Sequence, residues 1–164
     1  MKNARRIIGF LLTLAMVTAC LTGCINTGGS KQITYSEYTI AGIVYELPSH
    51  WTVTQETDSV VTVGRFTAML NETVSTSGFD SFCKGALLSM LLRSHESMEL
   101  LGKVNYGGYE LYEYAGTVAI AGDSIPVKAV CVLTSEGAVL FNYVCDNAEE
   151  DHDAIYSHFL NSLK

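Results

Sequence analysis

The strongest constraint on the fold lies in the second half of the chain. Four stretches with strand texture, residues 97–105, 109–120, 124–134 and 138–145, are separated only by Tyr106-Gly107-Gly108, Ala121-Gly122-Asp123 and Ser135-Glu136-Gly137. Parallel neighbours need a crossover of a dozen or more residues, so turns this short force an antiparallel meander. Upstream, residues 35–40, 43–47, 51–56, 60–63 and 66–74 carry the same texture. They are punctuated by Ala41-Gly42, a hairpin signal or a bulge, then by Pro48-Ser49-His50, Thr57-Asp58-Ser59 and Gly64-Arg65.

Two segments break the two-residue alternation. From Phe79 the apolar positions run Phe79, Phe82, Cys83, Ala86, Leu87, Met90 and Leu91, the spacing of one buried helix face, with Asp80 or Ser77 as a cap. Leu88 and Leu92 fall off that stripe and widen the apolar face. At the C-terminus, Asp146 or Asn147 is placed to cap a last helix, with Glu149 or Glu150 completing a capping box. Its inner face reads Ala148, His152, Ile155, Phe159 and Leu163. The expected class is α+β, a single antiparallel β-sheet covered by two helices, in one domain over residues 33–164. A core of that size folds without metal or disulfide.

Short motifs along this region resemble the PsbP/Mog1-like proteins. Gly42-Ile43-Val44-Tyr45-Glu46-Leu47-Pro48-Ser49-His50-Trp51 is similar to their opening hairpin and Pro-x-x-Trp corner. Val104-Asn105-Tyr106-Gly107-Gly108-Tyr109 resembles their mid-chain turn, and Phe159-Leu160-Asn161-Ser162-Leu163 their closing helix end. The resemblance implies an α/β/α sandwich and an accessory or binding role rather than an enzyme. It brings no ligand motif with it, and function does not travel with fold.

The first 23 residues have the layout of an export signal: Lys2, Arg5 and Arg6, then an uncharged apolar run from Ile7 to Val17. The run ends in Leu21-Thr22-Gly23-Cys24, which resembles the lipobox of bacterial lipoproteins. That family's processing implies cleavage before Cys24 and a covalent diacylglycerol, with acyl chains such as palmitate, on its sulfur. Two acyl chains give roughly 20 kcal/mol of gross anchoring at about 0.8 kcal/mol per methylene. Val17-Thr18-Ala19-Cys20 is a second, weaker tetrad that would move the anchor four residues, and an uncleaved helix over residues 7–25 is a further alternative. Residues 24–32, with Thr27-Gly28-Gly29-Ser30, then form a short flexible linker. Both the lipoprotein and the uncleaved-helix readings put the domain on the extracytoplasmic side of a cell membrane.

Cleavage removes the three leading basic residues and leaves seven Lys and Arg against seventeen Asp and Glu, about −10 in net charge. So acidic a domain repels phosphate backbones and anionic bilayer surfaces, which excludes nucleic acid as a partner and leaves the lipid as the membrane attachment. Cys83, Cys131 and Cys145 remain. In either register the hairpin sets Cys131 opposite Phe141 or Asn142, too far from Cys145 to bridge it. Cys83 can meet one of the two, or all three stay as buried thiols.

No catalytic or metal site is legible. His50 stands alone at a loop corner, and His152 and His158, six residues apart, point to opposite helix faces. The run Glu149-Glu150-Asp151-His152-Asp153 lacks the alternating donors and glycine of a calcium loop, and charge at a helix start accounts for it. Nucleophile elbows, phosphate loops and zinc spacings are absent from the sequence. The remaining candidate is aromatic. Tyr109, Tyr112 and Tyr114, with Trp51 at the corner, can form a binding surface for a protein or glycan partner of the cell envelope. Cross-strand packing explains the same tyrosines. The expected function is a noncatalytic accessory or binding module with no cofactor beyond the diacylglycerol on Cys24. The alternatives are a small-ligand carrier with a pocket near Leu88 and Leu92, and an enzyme using Cys83 or a loop histidine.

Overall fold

The computed structural model describes residues 33–83, 85 and 95–164. Cys20, Cys24, the linker and the leucines at 88 and 92 lie outside them. Nine strands follow in order: β1 (Tyr35–Ile40), β2 (Ile43–Pro48), β3 (Val53–Glu56), β4 (Val60–Val63), β5 (Phe66–Asn71), β6 (His95–Tyr106), β7 (Tyr109–Ile120), β8 (Asp123–Leu133) and β9 (Ala138–Val144). A 3₁₀ turn at Thr76–Gly78 leads into helical residues 79–83, and a C-terminal helix spans His152–Ser162. Among the described residues no helix is long and apolar enough to cross a membrane.

Every strand pairing is antiparallel, and β6 to β9 form the expected meander. The expectation of a single sheet is corrected. Seven strands form one sheet in the order β3-β4-β5-β9-β8-β7-β6, while β1 and β2 pair only with each other. The physical reason lies at the outer edge of β2. There Val44 exchanges both backbone hydrogen bonds with Lys164, at 3.1 Å each, and the Glu46 N–H donates to Ser162 Oγ at 2.9 Å. The end of the chain thus saturates the edge that a third strand would need.

The large sheet is covered on both faces. On one, Val63, Phe66, Val130, Val132, Phe141 and Tyr143 pack under Ile43, Tyr45 and Leu47 of the hairpin and Ile155, Phe159 and Leu163 of the C-terminal segment. On the other, Tyr112, Tyr114, Ala129, Cys131, Ala138 and Leu140 pack under Phe79 and Cys83. β8 is therefore buried on both sides from Ala129 to Val132, which explains its unbroken apolar run.

The last helix starts later than its acidic prelude suggests. Asp151, not Asp146 or Asn147, is the cap, its side chain accepting from the Ala154 N–H at 3.0 Å. The earlier candidates are used otherwise: Asp146 makes a tertiary pair with Arg65 Nε at 2.8 Å, and Asn147 Oδ1 accepts locally from the Glu149 N–H at 3.1 Å. Ala148 is exposed, and Tyr156 and Leu160 join Ile155, Phe159 and Leu163 on the buried face.

Candidate functional site

The four aromatic candidates separate into three environments. Tyr112 and Tyr114 project to one face of β7, as period two requires, but they are 4% and 1% exposed. Phe79 meets the Tyr112 ring edge-on at 5.6 Å between centroids, and the Tyr112 hydroxyl donates to Asp80 Oδ1. The Tyr114 hydroxyl donates to the carbonyl of Cys83 at 2.8 Å. The two rings are interior, because the helical residues that begin at Phe79 dock on them. Burial raises the Tyr114 hydroxyl well above its ordinary value.

Trp51 closes a corner instead of displaying its ring. Its indole lies against the Gly64 backbone, where a Cβ would come within 2.8 Å of Trp51 Cγ. Gly64 also has a φ of 55°. Trp51 Nε1 donates to Glu150 Oε1 at 3.0 Å, and His50 Nε2 reaches the same oxygen at 3.0 Å. Burial pushes the Glu150 carboxyl up, but these hydrogen bonds and the charge of His50 outweigh it and hold the group below the usual carboxylate range. Behind them His152 Nδ1 meets the Tyr143 hydroxyl at 2.5 Å, while His158 Nε2 pairs with Glu46 Oε2 at 2.8 Å and its ring stacks on Tyr35 at 3.5 Å. The acidic run is thus divided among a cap, a tryptophan clamp and the Lys128–Asp153 ion pair at 2.5 Å. Among the described residues no three His, Cys, Asp or Glu side chains converge on a metal position.

Tyr109, half-buried against the larger core cluster, lines a surface groove. It is the first residue of β7, directly after Gly107-Gly108, both of which have positive φ. Two adjoining depressions share Tyr109, Thr76 and Leu133. One, of about 530 Å³, reaches the Ala41-Gly42 hairpin tip and residues Thr134 and Ser135. The other, of about 350 Å³, is walled by Phe79, Asp80, Gly108 and Glu110. The fold brings them together because the β6–β7 turn, the end of β8 and the 3₁₀ turn after β5 lie at one end of the sheet. Lys103 bridges the rim, with Nζ 2.8 Å from Glu110 and 3.9 Å from Asp80. The result is an open groove with an aromatic wall, Thr134 and Ser135 on one side and the Asp80, Lys103 and Glu110 charges on the other. Sequence reasoning picked out Tyr109 but not Thr76, Leu133 or Ala41, whose participation comes from strand ends meeting far apart in the chain.

No known family profile and no curated protein matches the chain. Among solved structures it is similar to the cyanobacterial PsbP (CyanoP) of Synechocystis sp. PCC 6803. The TM-score is 0.50 at 11% identity, over 86% of this chain and 98% of that one. Further similarities are a protein of unknown function from Pseudomonas aeruginosa (TM-score 0.49, 10% identity, 79% and 96% covered) and LpqN, involved in cell envelope biogenesis of Mycobacterium tuberculosis (0.47, 11%, 82% and 91%). At such identities the likeness concerns architecture, and the architecture is PsbP-like.

Proposed function

We propose that this chain is a noncatalytic binding module, tethered at the extracytoplasmic face of the cell membrane through a lipidated Cys24, and that the groove at Tyr109 receives an extended, basic segment of a protein partner. The observation that carries this reading is the groove. A half-buried tyrosine offers a rigid amphipathic anchor, and Asp80 and Glu110, with Lys103 between them, give the rim beside it two negative charges against one positive. The charge of the processed chain, about −10, favours cationic partners over long range. Enzyme readings draw little support from the remaining groups. The Cys83 and Cys131 thiols are both 1% exposed, and His50, His152 and His158 each bond a protein side chain. The pocket near Leu88 and Leu92 lies outside the described residues.

The test uses the full-length protein in detergent micelles against arrays of basic, neutral and acidic peptides and envelope glycans. Basic peptides bind, binding weakens with added salt, and Tyr109→Ala lowers affinity about tenfold or more. Selective binding of glycans, or Tyr109→Ala binding like the parent chain, overturns the reading.

A further inference from the structure

The meander places Cys131 on the face of β8 that carries Ala129, opposite Tyr112 on β7 and Leu140 on β9. Tyr112 and Tyr114 on that face hold the segment above them by their hydroxyls, through Asp80 and the Cys83 carbonyl respectively. Cys83 therefore sits over Cys131 in one apolar cluster, where each thiol perturbs the titration of the other. Cys145 cannot compete for either. The register puts it five residues beyond the partner of Cys131, about 17 Å along β9 at ~3.4 Å per residue, against a limit of about 7 Å between bridged Cα atoms. It also packs with the cluster on the opposite face of the sheet. All three are thiols in this structure.

We propose that Cys83 and Cys131 are a disulfide pair, oxidised when the chain reaches a compartment outside the cytoplasm, and that Cys145 remains a single thiol. Such compartments permit disulfides to form and persist. The bond staples the helical residues that follow Thr76–Gly78 to the centre of the sheet, and so fixes Phe79 and Asp80, one wall of the Tyr109 groove. It stands whether or not that groove binds a partner. The chemistry is thiol–disulfide exchange with a disulfide oxidant. The Cys83 thiolate attacks one sulfur of the oxidant, forming a mixed disulfide and releasing a thiolate. Cys131, losing its proton, attacks the Cys83 sulfur and releases the second. Two protein thiols lose two electrons, and the oxidant takes them up as two thiols. Both sulfurs are buried once packed, so exchange belongs to the folding chain or to transient opening of the helical segment.

The full-length protein is purified from its membrane without reductant, alkylated in denaturant and digested with trypsin plus a glutamate-specific protease. Cuts after Glu72, Lys84, Lys128, Glu136 and Glu149 place Cys83, Cys131 and Cys145 on separate peptides. The expected result is peptide 73–84 linked to peptide 129–136, separated by reduction, with Cys145 alkylated. Alkylated Cys83 and Cys131, or either one joined to Cys145, overturns the proposal. A second measurement reduces Cys145→Ala and exposes it to oxidised glutathione. Cys83 and Cys131 thiols vanish together with no glutathione retained, and the thermal midpoint rises by roughly 5 to 10 °C. Stable glutathione adducts on both overturns it.

Discussion

Tyr45 sits at the centre of the larger core cluster with no accessible surface, ringed by Phe141 at 5.2 Å, Phe66 at 5.8 Å, Tyr38 at 5.9 Å and Phe159 at 6.0 Å. Its hydroxyl is buried and finds no hydrogen-bond partner among the described residues. Leaving a hydroxyl desolvated and unpaired costs about 1 to 3 kcal/mol in proteins. Tyr45→Phe removes that group and keeps the ring and its edge-to-face contacts, leaving a gap of one oxygen whose packing loss is smaller. The variant is therefore more stable than the parent by about 1 to 2 kcal/mol. In urea titration followed by circular dichroism, the midpoint rises by about 0.5 to 1 M for a slope of about 2 kcal/mol/M. The thermal midpoint rises by roughly 4 to 7 °C for a domain of this size. Tyr45→Ala bounds the other side, losing about 3 to 5 kcal/mol of ring burial. A Tyr45→Phe midpoint equal to or below the parent's refutes the argument and means that the hydroxyl is satisfied.

Three more perturbations follow from the turns and the corner. Ala121 is held at a φ of 53° in the β7–β8 hairpin, and Ala121→Gly stabilises by about 0.5 to 1 kcal/mol in the same titration. Gly107→Ala destabilises by about 2 kcal/mol or more, because the new Cβ overlaps the carbonyl oxygen of Leu163 in a backbone already at a φ of 57°. Glu150, with its carboxyl held low in the folded state, stabilises the fold above its unfolded pKa of about 4.3 and loses that contribution as pH falls through the folded value. Trp51 is the single tryptophan, so its fluorescence reports the loosening of this clamp in acid. Glu150→Gln flattens that acid step, and an unchanged step in the variant counts against the clamp.

Much of this architecture was legible because strand signals are local. Strands such as β2 alternate with a period of two between turn residues, β8 shows instead as an apolar run bounded by turns, and Ala41-Gly42, Gly107-Gly108 and Ala121-Gly122 each supply paired positive φ values that match hairpin twist. Three features were not legible, two of them decided by partners distant in sequence and one by the length of a loop. β1 and β2 leave the main sheet because Ser162 and Lys164 occupy the edge of β2, a contact across 116 residues in the case of Glu46. The β8–β9 register sets Cys131 opposite Leu140, not Phe141 or Asn142, because residues 134–137 form a loop one residue longer than the turn its glycine suggests. At Tyr112 and Tyr114 period two correctly gives a shared face, yet only the docking of Phe79 and Cys83 decides that the face is covered.

The tether is the premise on which partner, compartment and oxidised cysteines converge, and intact mass spectrometry of the protein extracted from its native membrane tests it most directly. The account predicts a chain that begins at Cys24 and carries a diacylglycerol on that residue. A chain that retains Met1, with Cys20 and Cys24 both unmodified, contradicts it.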